Sequence, residues 1–322
     1  MGLCIGHESA LRYWLTKTGD EAIPEHAPSS SFARAEARLR TVPSEHLPIE
    51  PEKGRPLHLV VSNRRLGHAL DDVIAHVWSG KLPNGALCEL SGDNTVTSPE
   101  LTFVQMASRL SLVEAIEVGD YLCSTFSIED AGRDYAGERE QLTSVESLRD
   151  FIDALPPGSH GIRKARAALE HVVDGLASPM EVFLGMSLGL PADLGGRGPF
   201  LLHANQVIDI DAHIQRLLGA RYLKGDLYLP EFNADVEFDS YRYHTGSYRL
   251  DHTQARRNAL EAMGIKTISA TYGQVKTLEL FDEFVWMLRQ RLGLDHPAHS
   301  YEERQAQMAL HDLLLSPDRC LF

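Results

Sequence analysis

Acidic side chains alternate with apolar ones from Ala234 to Asp239, in the sequence ADVEFD. Successive side chains of a β-strand point to opposite faces, so Asp235, Glu237 and Asp239 share one face while the apolar residues pack inward on the other. Three like charges on one face do not stabilise a strand. A divalent cation accounts for them, because Mg²⁺ is held by a few carboxylates together with water. The alternative is an acidic hairpin in contact with solvent.

A second acidic strand precedes this one. Asp226 lies in it, and the residues Pro230 to Asn233 are typical of the turn between the two strands. If pairing of the strands brings Asp226 and Glu237 within reach of one metal ion, both carboxylates would be ligands. One or two such ions supply what phosphodiester hydrolysis needs, namely an activated water and stabilisation of the charge on the phosphate.

These acids and the elements around them resemble the PD-(D/E)XK nuclease core, and more closely the Vsr-like (very-short-patch-repair) endonuclease branch. The resemblance covers about residues 178–293. The positions that carry it are Asp226, Val236-Glu237-Phe238-Asp239, His244, Arg256 or Arg257, Leu260, Gly264 and Thr271, with ten residues between Asp226 and Glu237. Asp239 stands where the orthodox motif has Lys, and Lys266 and Arg257 are the two candidates to replace that cation.

The resemblance implies a metal-dependent DNA endonuclease or nickase with an αβββαβ core. Asp226 and Glu237 would bind Mg²⁺ or Mn²⁺ together with the carbonyl of residue 238. Asp239 is either a third ligand or a residue at the end of its strand. His244 is a general acid or base, a phosphate contact, or simply an exposed loop residue. The DNA-binding candidates are Arg242, Arg249, Arg256 and Arg257.

Glu181 has two interpretations. In the nuclease family the first helix contributes an acid to the site, which makes Glu181 a catalytic candidate. However, Ser178 followed three residues later by Glu181 is also a capping box, in which each side chain bonds a backbone N–H at the start of a helix. Capping alone accounts for this residue, and it is the interpretation we favour from the sequence.

The 322-residue chain carries a net charge of −14. Nonspecific nucleic-acid binding draws its affinity from neutralising phosphates, so this charge argues against a uniformly basic surface. A local basic groove is compatible with it, because basic residues gather around the acidic strands; ordinary solvated side chains are the alternative. The basic residues are Arg216, Arg221, Lys224, Arg242, Arg249, Arg256 and Arg257.

The sequence favours a cytoplasmic protein that does not enter the membrane. Its first residues, MGLCIGHESALRYWL, lack the charged region and apolar core of a secretory signal, and no apolar run approaches the length of a membrane span. Cys4, Cys88, Cys123 and Cys320 are widely spaced without a CxxC pair. They are expected to be reduced thiols rather than disulfides or zinc ligands.

We predict an α/β protein in which a smaller α+β N-terminal and middle region precedes the restriction-endonuclease-like core. Pro156-Pro157-Gly158 marks the main boundary. Residues 96–122 resemble the C-terminal portion of AbiEi-type antitoxin or regulator proteins. The predicted regions are an N-terminal helix and linker (1–56), an α+β middle domain (57–150), the nuclease-like domain (160–293) and a C-terminal helix (294–322).

Two functions therefore compete. The first is DNA cleavage by a Mg²⁺-dependent hydrolase, and the second is a non-catalytic DNA-binding regulator of the AbiEi type that uses a nuclease-like scaffold. Fold alone does not separate them. Convergence of Asp226 and Glu237 favours the enzyme, whereas a winged helix within residues 1–56 favours the regulator.

Overall fold

The computed structural model describes residues 2–35, 47–49, 51, 54–67, 72–130, 134–239, 247–316 and 321. The chain divides into two compact units, which we call unit 1 (residues 1–172 with 320–322) and unit 2 (residues 173–319). The division lies later than the expected boundary at Pro156-Pro157-Gly158. The helix after these residues packs against helices of unit 1, and the N-terminal unit is therefore not the smaller part of the chain.

Unit 1 is built on a five-stranded sheet in the order β3-β2-β1-β5-β4. The short strand β1 is central, because it pairs antiparallel with β2 and parallel with β5. Residues 1–56, expected to form only a helix and a linker, therefore supply the middle strand of this sheet. The strands are β1 (Cys4–Ile5), β2 (Leu57–Val61), β3 (Val73–Val77), β4 (Leu87–Glu89) and β5 (Thr95–Thr97).

Five helices and a small hairpin complete unit 1 within its described residues. Side-chain caps begin two of the helices: Ser98 accepts a hydrogen bond from the Leu101 N–H, and Ser111 forms a capping box with Glu114. The helices are α1 (His7–Thr16), α2 (Pro99–Arg109), α3 (Leu112–Leu122), α4 (Val145–Ala154) and α5 (Ile162–Leu169). The hairpin strands are β6 (Phe126–Ile128) and β7 (Tyr135–Glu138).

Unit 2 contains a four-stranded sheet in the order β11-β10-β9-β8. Strand β9 pairs antiparallel with both β8 and β10, and β11 pairs parallel with β10. Asn233, with φ of 46°, closes the predicted turn between β9 and β10. The strands are β8 (His203–Asp209), β9 (Tyr222–Leu229), β10 (Ala234–Asp239) and β11 (Lys266–Thr271).

The helices of unit 2 occur in the predicted order: one helix, three strands with a short helical insertion, a helix, a strand and further helices. They are α6 (Pro179–Gly189), α7 (Ala212–Leu218), α8 (Ser247–Ala262), α9 (Tyr272–Val275), α10 (Leu278–Leu292) and α11 (Tyr301–Leu315). Helix α8 begins at Ser247, and Tyr248 to Leu250 contain no helix breaker.

The chain is thus a mixed α/β protein. In the part of the chain that the structure describes, none of the helices combines the length and apolar character needed to cross a membrane. Cys4, Cys88 and Cys123 are buried free thiols, as expected from their spacing, and Cys320 lies outside the described residues.

Candidate active site

The hairpin of β9 and β10 sets Asp226 and Glu237 at neighbouring positions. Its register places Leu227 opposite Val236. Asp226 directly precedes Leu227 and Glu237 directly follows Val236, so in this antiparallel pair the two acids lie at the same end. The Phe238 N–H donates a hydrogen bond of 3.0 Å to Asp226 Oδ2. This hydrogen bond therefore holds the Asp226 carboxylate beside Phe238, the residue that follows Glu237.

The carboxylate face of β10 is buried. Asp235 is 0% exposed and Glu237 is 6% exposed. The apolar residues Ala234 and Val236 on the opposite face are buried as well. The sheet is therefore covered on both sides at this strand. This burial contradicts the alternative of an acidic hairpin in contact with solvent.

Two arginines of α8 reach the carboxylate face. Arg256 forms an ion pair with Glu237, with 2.7 Å between Nη1 and Oε1, and its guanidinium also donates to the carbonyl of Lys224. Arg257 donates to the hydroxyl of Ser269, the register partner of Glu237 on β11. Both residues were predicted to contact DNA. The structure gives each of them a partner within unit 2, and their contact with DNA stays a prediction.

The buried carboxylates bind their protons more tightly than free side chains do. Burial raises the pKa of Asp226 and of Glu237, although the Phe238 N–H and Arg256 oppose these shifts. Burial, followed by the charges of Glu237 and Asp226, raises the pKa of Asp235 to about 8. Like charges in a low-dielectric site disfavour ionisation, and a bound cation removes that penalty.

Glu181 serves the helix terminus and also faces the site. Its N–H donates to the Ser178 hydroxyl, and its carboxylate accepts from Ser178 Oγ at 2.9 Å and from the Ala177 N–H at 2.8 Å. In a capping box the carboxylate would accept from the N–H of Ser178, but here it accepts from the N–H of Ala177. It also lies 3.4 Å from Asn205 Nδ2. Burial and the charge of Asp226 raise the pKa of Glu181 to about 7.

The other predicted residues are distributed as follows. Asp239 ends β10, half-buried and opposite Thr271. His244 and Arg242 lie outside the described residues, and Arg249 lies in α8 with its side chain outside the description. Of the two candidates to replace the motif Lys, Lys266 is paired with Ala234 at the far end of the sheet, so Arg257 is the one of these two that lies near Glu237.

Sequence reasoning missed the central position of Asp235. Neither of its carboxylate oxygens has a hydrogen-bond partner in the described part of the chain, and the same holds for the hydroxyl of its β11 neighbour Thr267. Gly225 makes room for the carboxylate, since a Cβ atom there would lie 2.5 Å from Asp235 Oδ1. In the sequence, the available signal for this buried carboxylate was Gly225 in the strand that precedes the acidic one.

The donor set suits a hard cation. Asp226 and Glu237 offer carboxylate oxygens, and Mg²⁺ completes its coordination with water when two carboxylates hold it. Among the described residues these acids do not form a trio of mutually close ligand atoms; His7, Glu8 and His76 of unit 1 do. No protein-family model, curated protein or solved structure matches the chain.

Proposed function

We propose that unit 2 is a PD-(D/E)XK-like, Vsr-like domain that hydrolyses DNA phosphodiester bonds with Mg²⁺ or Mn²⁺. The observation that carries the proposal is the convergence of Asp226 and Glu237 on adjacent buried strands, tied by the Phe238 N–H. The order of elements supports it, because β8 to β10 form an antiparallel meander and β11 returns parallel to β10 through α8.

In this function Asp226 and Glu237 hold the ion, which would lower the pKa of a bound water and offset charge on the phosphate. Arg256 neutralises Glu237 through their 2.7 Å ion pair. Arg257 supplies a second positive charge beside Glu237 and replaces the Lys of the orthodox motif. Glu181 lies near Asp226 and is about half protonated at neutral pH, since its pKa is about 7.

The test is cleavage of supercoiled plasmid DNA in Mg²⁺ or Mn²⁺. The isosteric changes Asp226→Asn and Glu237→Gln each remove one ligand charge. A catalytic metal contributes several kcal/mol, so we expect the rate to fall by about a hundredfold or more. Asp209→Asn is the matched control, because Asp209 is an exposed acid at the end of β8 in the same sheet.

Equal cleavage by the parent and by both ligand variants would remove these residues from the active site. His244→Ala adds a separate arm, because loss of a general acid or base slows cleavage without weakening metal binding. An unchanged rate in this variant would assign His244 to an exposed loop.

The second candidate is a non-catalytic DNA-binding regulator of the AbiEi type. The ion pair of Arg256 with Glu237 favours it, since this contact already neutralises one proposed metal ligand. Within the described part of residues 1–56, however, α1 and the short 3₁₀ helix Ser29–Arg34 do not make a winged helix. DNA binding that leaves the plasmid uncut in both metal ions would support the regulator.

A further inference from the structure

Unit 1 contains a second polar cluster, which we call the histidine cluster: His7, Glu8, His58 and His76. His58 Nδ1 lies 2.6 Å from Glu8 Oε2 and 3.0 Å from His76 Nε2. One ligand atom each of His7, Glu8 and His76 lies within 4.8 Å of the others. Three metal-ligating side chains thus lie close together, and His58 contacts two of them.

The fold of unit 1 brings these distant residues together. His7 and Glu8 begin α1, immediately after the central strand β1. The Gly6 N–H donates to the carbonyl of His58 at 3.0 Å, so the start of α1 lies directly against β2. The parallel partner of β2 is β3, and it carries His76 opposite Val60.

His7 is held in an unfavourable conformation with an unused nitrogen. Its φ of 51° lies in the left-handed region, which a non-glycine residue adopts at a cost. Gln105 Oε1 accepts a hydrogen bond of 2.9 Å from the His7 N–H and so supports this backbone. The side chain is 9% exposed, and its Nδ1 has no hydrogen-bond partner among the described groups.

We propose that His7, Glu8 and His76 bind one divalent transition-metal ion, with Zn²⁺ as the best match, and that His58 positions Glu8 and His76. Imidazole nitrogens and one carboxylate oxygen are typical zinc ligands, whereas Mg²⁺ and Ca²⁺ take oxygen. Tetrahedral bonds of about 2.0–2.1 Å separate ligand atoms by about 3.3 Å, which the three ligand atoms, all within 4.8 Å of one another, can reach by small side-chain rotations. The His7 ring stacks on His76, so one ring tilts when both coordinate.

The surroundings prepare these donors for a metal. Arg109 Nε lies 2.9 Å from Glu8 Oε1, which leaves Oε2 directed at the histidines, as partners behind metal-ligating carboxylates do. Burial, then the neighbouring imidazoles, lowers the pKa of His7 to about 3 and of His76 to about 4. Both rings are therefore neutral at pH 7 and present lone pairs without first losing a proton.

The competing account is a metal-free hydrogen-bonded cluster in which His58 bridges Glu8 and His76. The test uses the tag-free full chain, stripped with EDTA and titrated with Co²⁺ and then Zn²⁺. We expect intense visible d–d bands of four-coordinate cobalt that saturate at one Co²⁺ per chain and are lost on addition of Zn²⁺; Co²⁺ held by carboxylates and water is six-coordinate and gives only weak bands. His76→Gln and Glu8→Gln should weaken binding at least about tenfold.

His160→Gln is the matched control, because His160 is an exposed histidine of the same unit. It should bind as the parent does. X-ray absorption of the zinc-loaded parent needs no variant and covers the case in which a variant fails to fold: imidazole scattering and oxygen are expected. Sulfur or water ligands alone, or equal binding by the parent and His76→Gln, would overturn the site.

Discussion

At the scale of single residues, Asp235 is the most unusual group of the candidate active site. It is fully buried, and both of its oxygens lack hydrogen-bond partners in the described structure. An ionised carboxylate in such a place is costly, so the group keeps its proton instead. The pKa of about 8 expresses this cost, and burial is its main cause.

Asp235→Asn should make the protein more stable at neutral pH and flatten the dependence of stability on pH. An Asp with a folded pKa near 8 binds a proton that the unfolded chain releases near pH 4. Between these values the folded state holds more protons, so the free energy of unfolding falls as pH rises. The slope from one proton is at most about 1.4 kcal/mol per pH unit.

Urea unfolding at several pH values between 4 and 8 measures this slope in the parent and in Asp235→Asn. Glu181, whose pKa is about 7, adds a slope of the same sign, so the variant should lose part of the dependence. Asp209→Asn, at an exposed position, should leave the slope unchanged. A variant that is no more stable than the parent at pH 7 would contradict the buried, protonated Asp235.

The residues also show where prediction from sequence ends. Alternation along β10 placed Asp235, Glu237 and Asp239 on one face, because that depends only on the two-residue period of a strand. Burial of this face depends on α8, whose Arg256 reaches Glu237 from a distant part of the chain. Tertiary contacts of this kind leave no periodic signal.

At the scale of elements, local capping signals located helix starts well. Ser98, Ser111, Ser178, Thr277 and Ser300 each accept a hydrogen bond from the first turn of the helix that follows them. Strand β1 was missed, since two residues carry no pattern and only pairing with β2 and β5 makes them a strand. Short central strands are defined by their neighbours rather than by their own sequence.

The two roles of Glu181 can be separated by comparing Ser178→Ala with Glu181→Gln. Ser178→Ala removes the hydroxyl that accepts the Glu181 N–H, and loss of such a cap costs about 0.5–2 kcal/mol. It leaves the negative charge near Asp226 in place. We therefore expect plasmid cleavage to survive Ser178→Ala at temperatures where the variant is folded, and to collapse in Glu181→Gln if the charge serves the metal site.

Helix α11 offers the matched control for this comparison. Ser300 and Glu303 form a complete capping box at its start, with a 2.8 Å bond from the Ser300 N–H to Glu303 Oε2. Glu303→Gln should change stability by an amount similar to a capping loss and leave cleavage unchanged. Equal cleavage by Glu181→Gln and Glu303→Gln would reduce Glu181 to a capping residue.

At the scale of the whole molecule, net charge limits how the proposed DNA substrate would be bound. The net charge of −14 repels a polyanion, and two basic residues of the candidate site are engaged with Glu237, Lys224 and Ser269. In the proposed function, a divalent ion would supply positive charge at the point of contact. The histidine cluster of unit 1 differs in chemistry, because its nitrogen donors favour zinc over magnesium.

Mg²⁺ should raise the melting temperature of the metal-free protein, since a ligand that binds only the folded state stabilises it by RT ln(1 + [L]/Kd). For a Kd of about 1 mM and about 10 mM Mg²⁺, the gain is roughly 1.4 kcal/mol, or about 3–6 °C for a cooperative unit of 150–250 residues. Ca²⁺ should act similarly, because it also takes oxygen ligands.

Asp226→Asn should lose most of this rise and melt at the same temperature as the parent, or higher, in EDTA, because one buried like charge is gone. Sodium chloride at matched ionic strength measures simple screening of the net charge and should not reproduce the shift. Scanning calorimetry of both proteins in EDTA, Mg²⁺ and Ca²⁺ decides the matter. Identical melting of the parent in EDTA and Mg²⁺ would leave the buried acids without an ion, and the DNA-binding regulator would become the better account of unit 2.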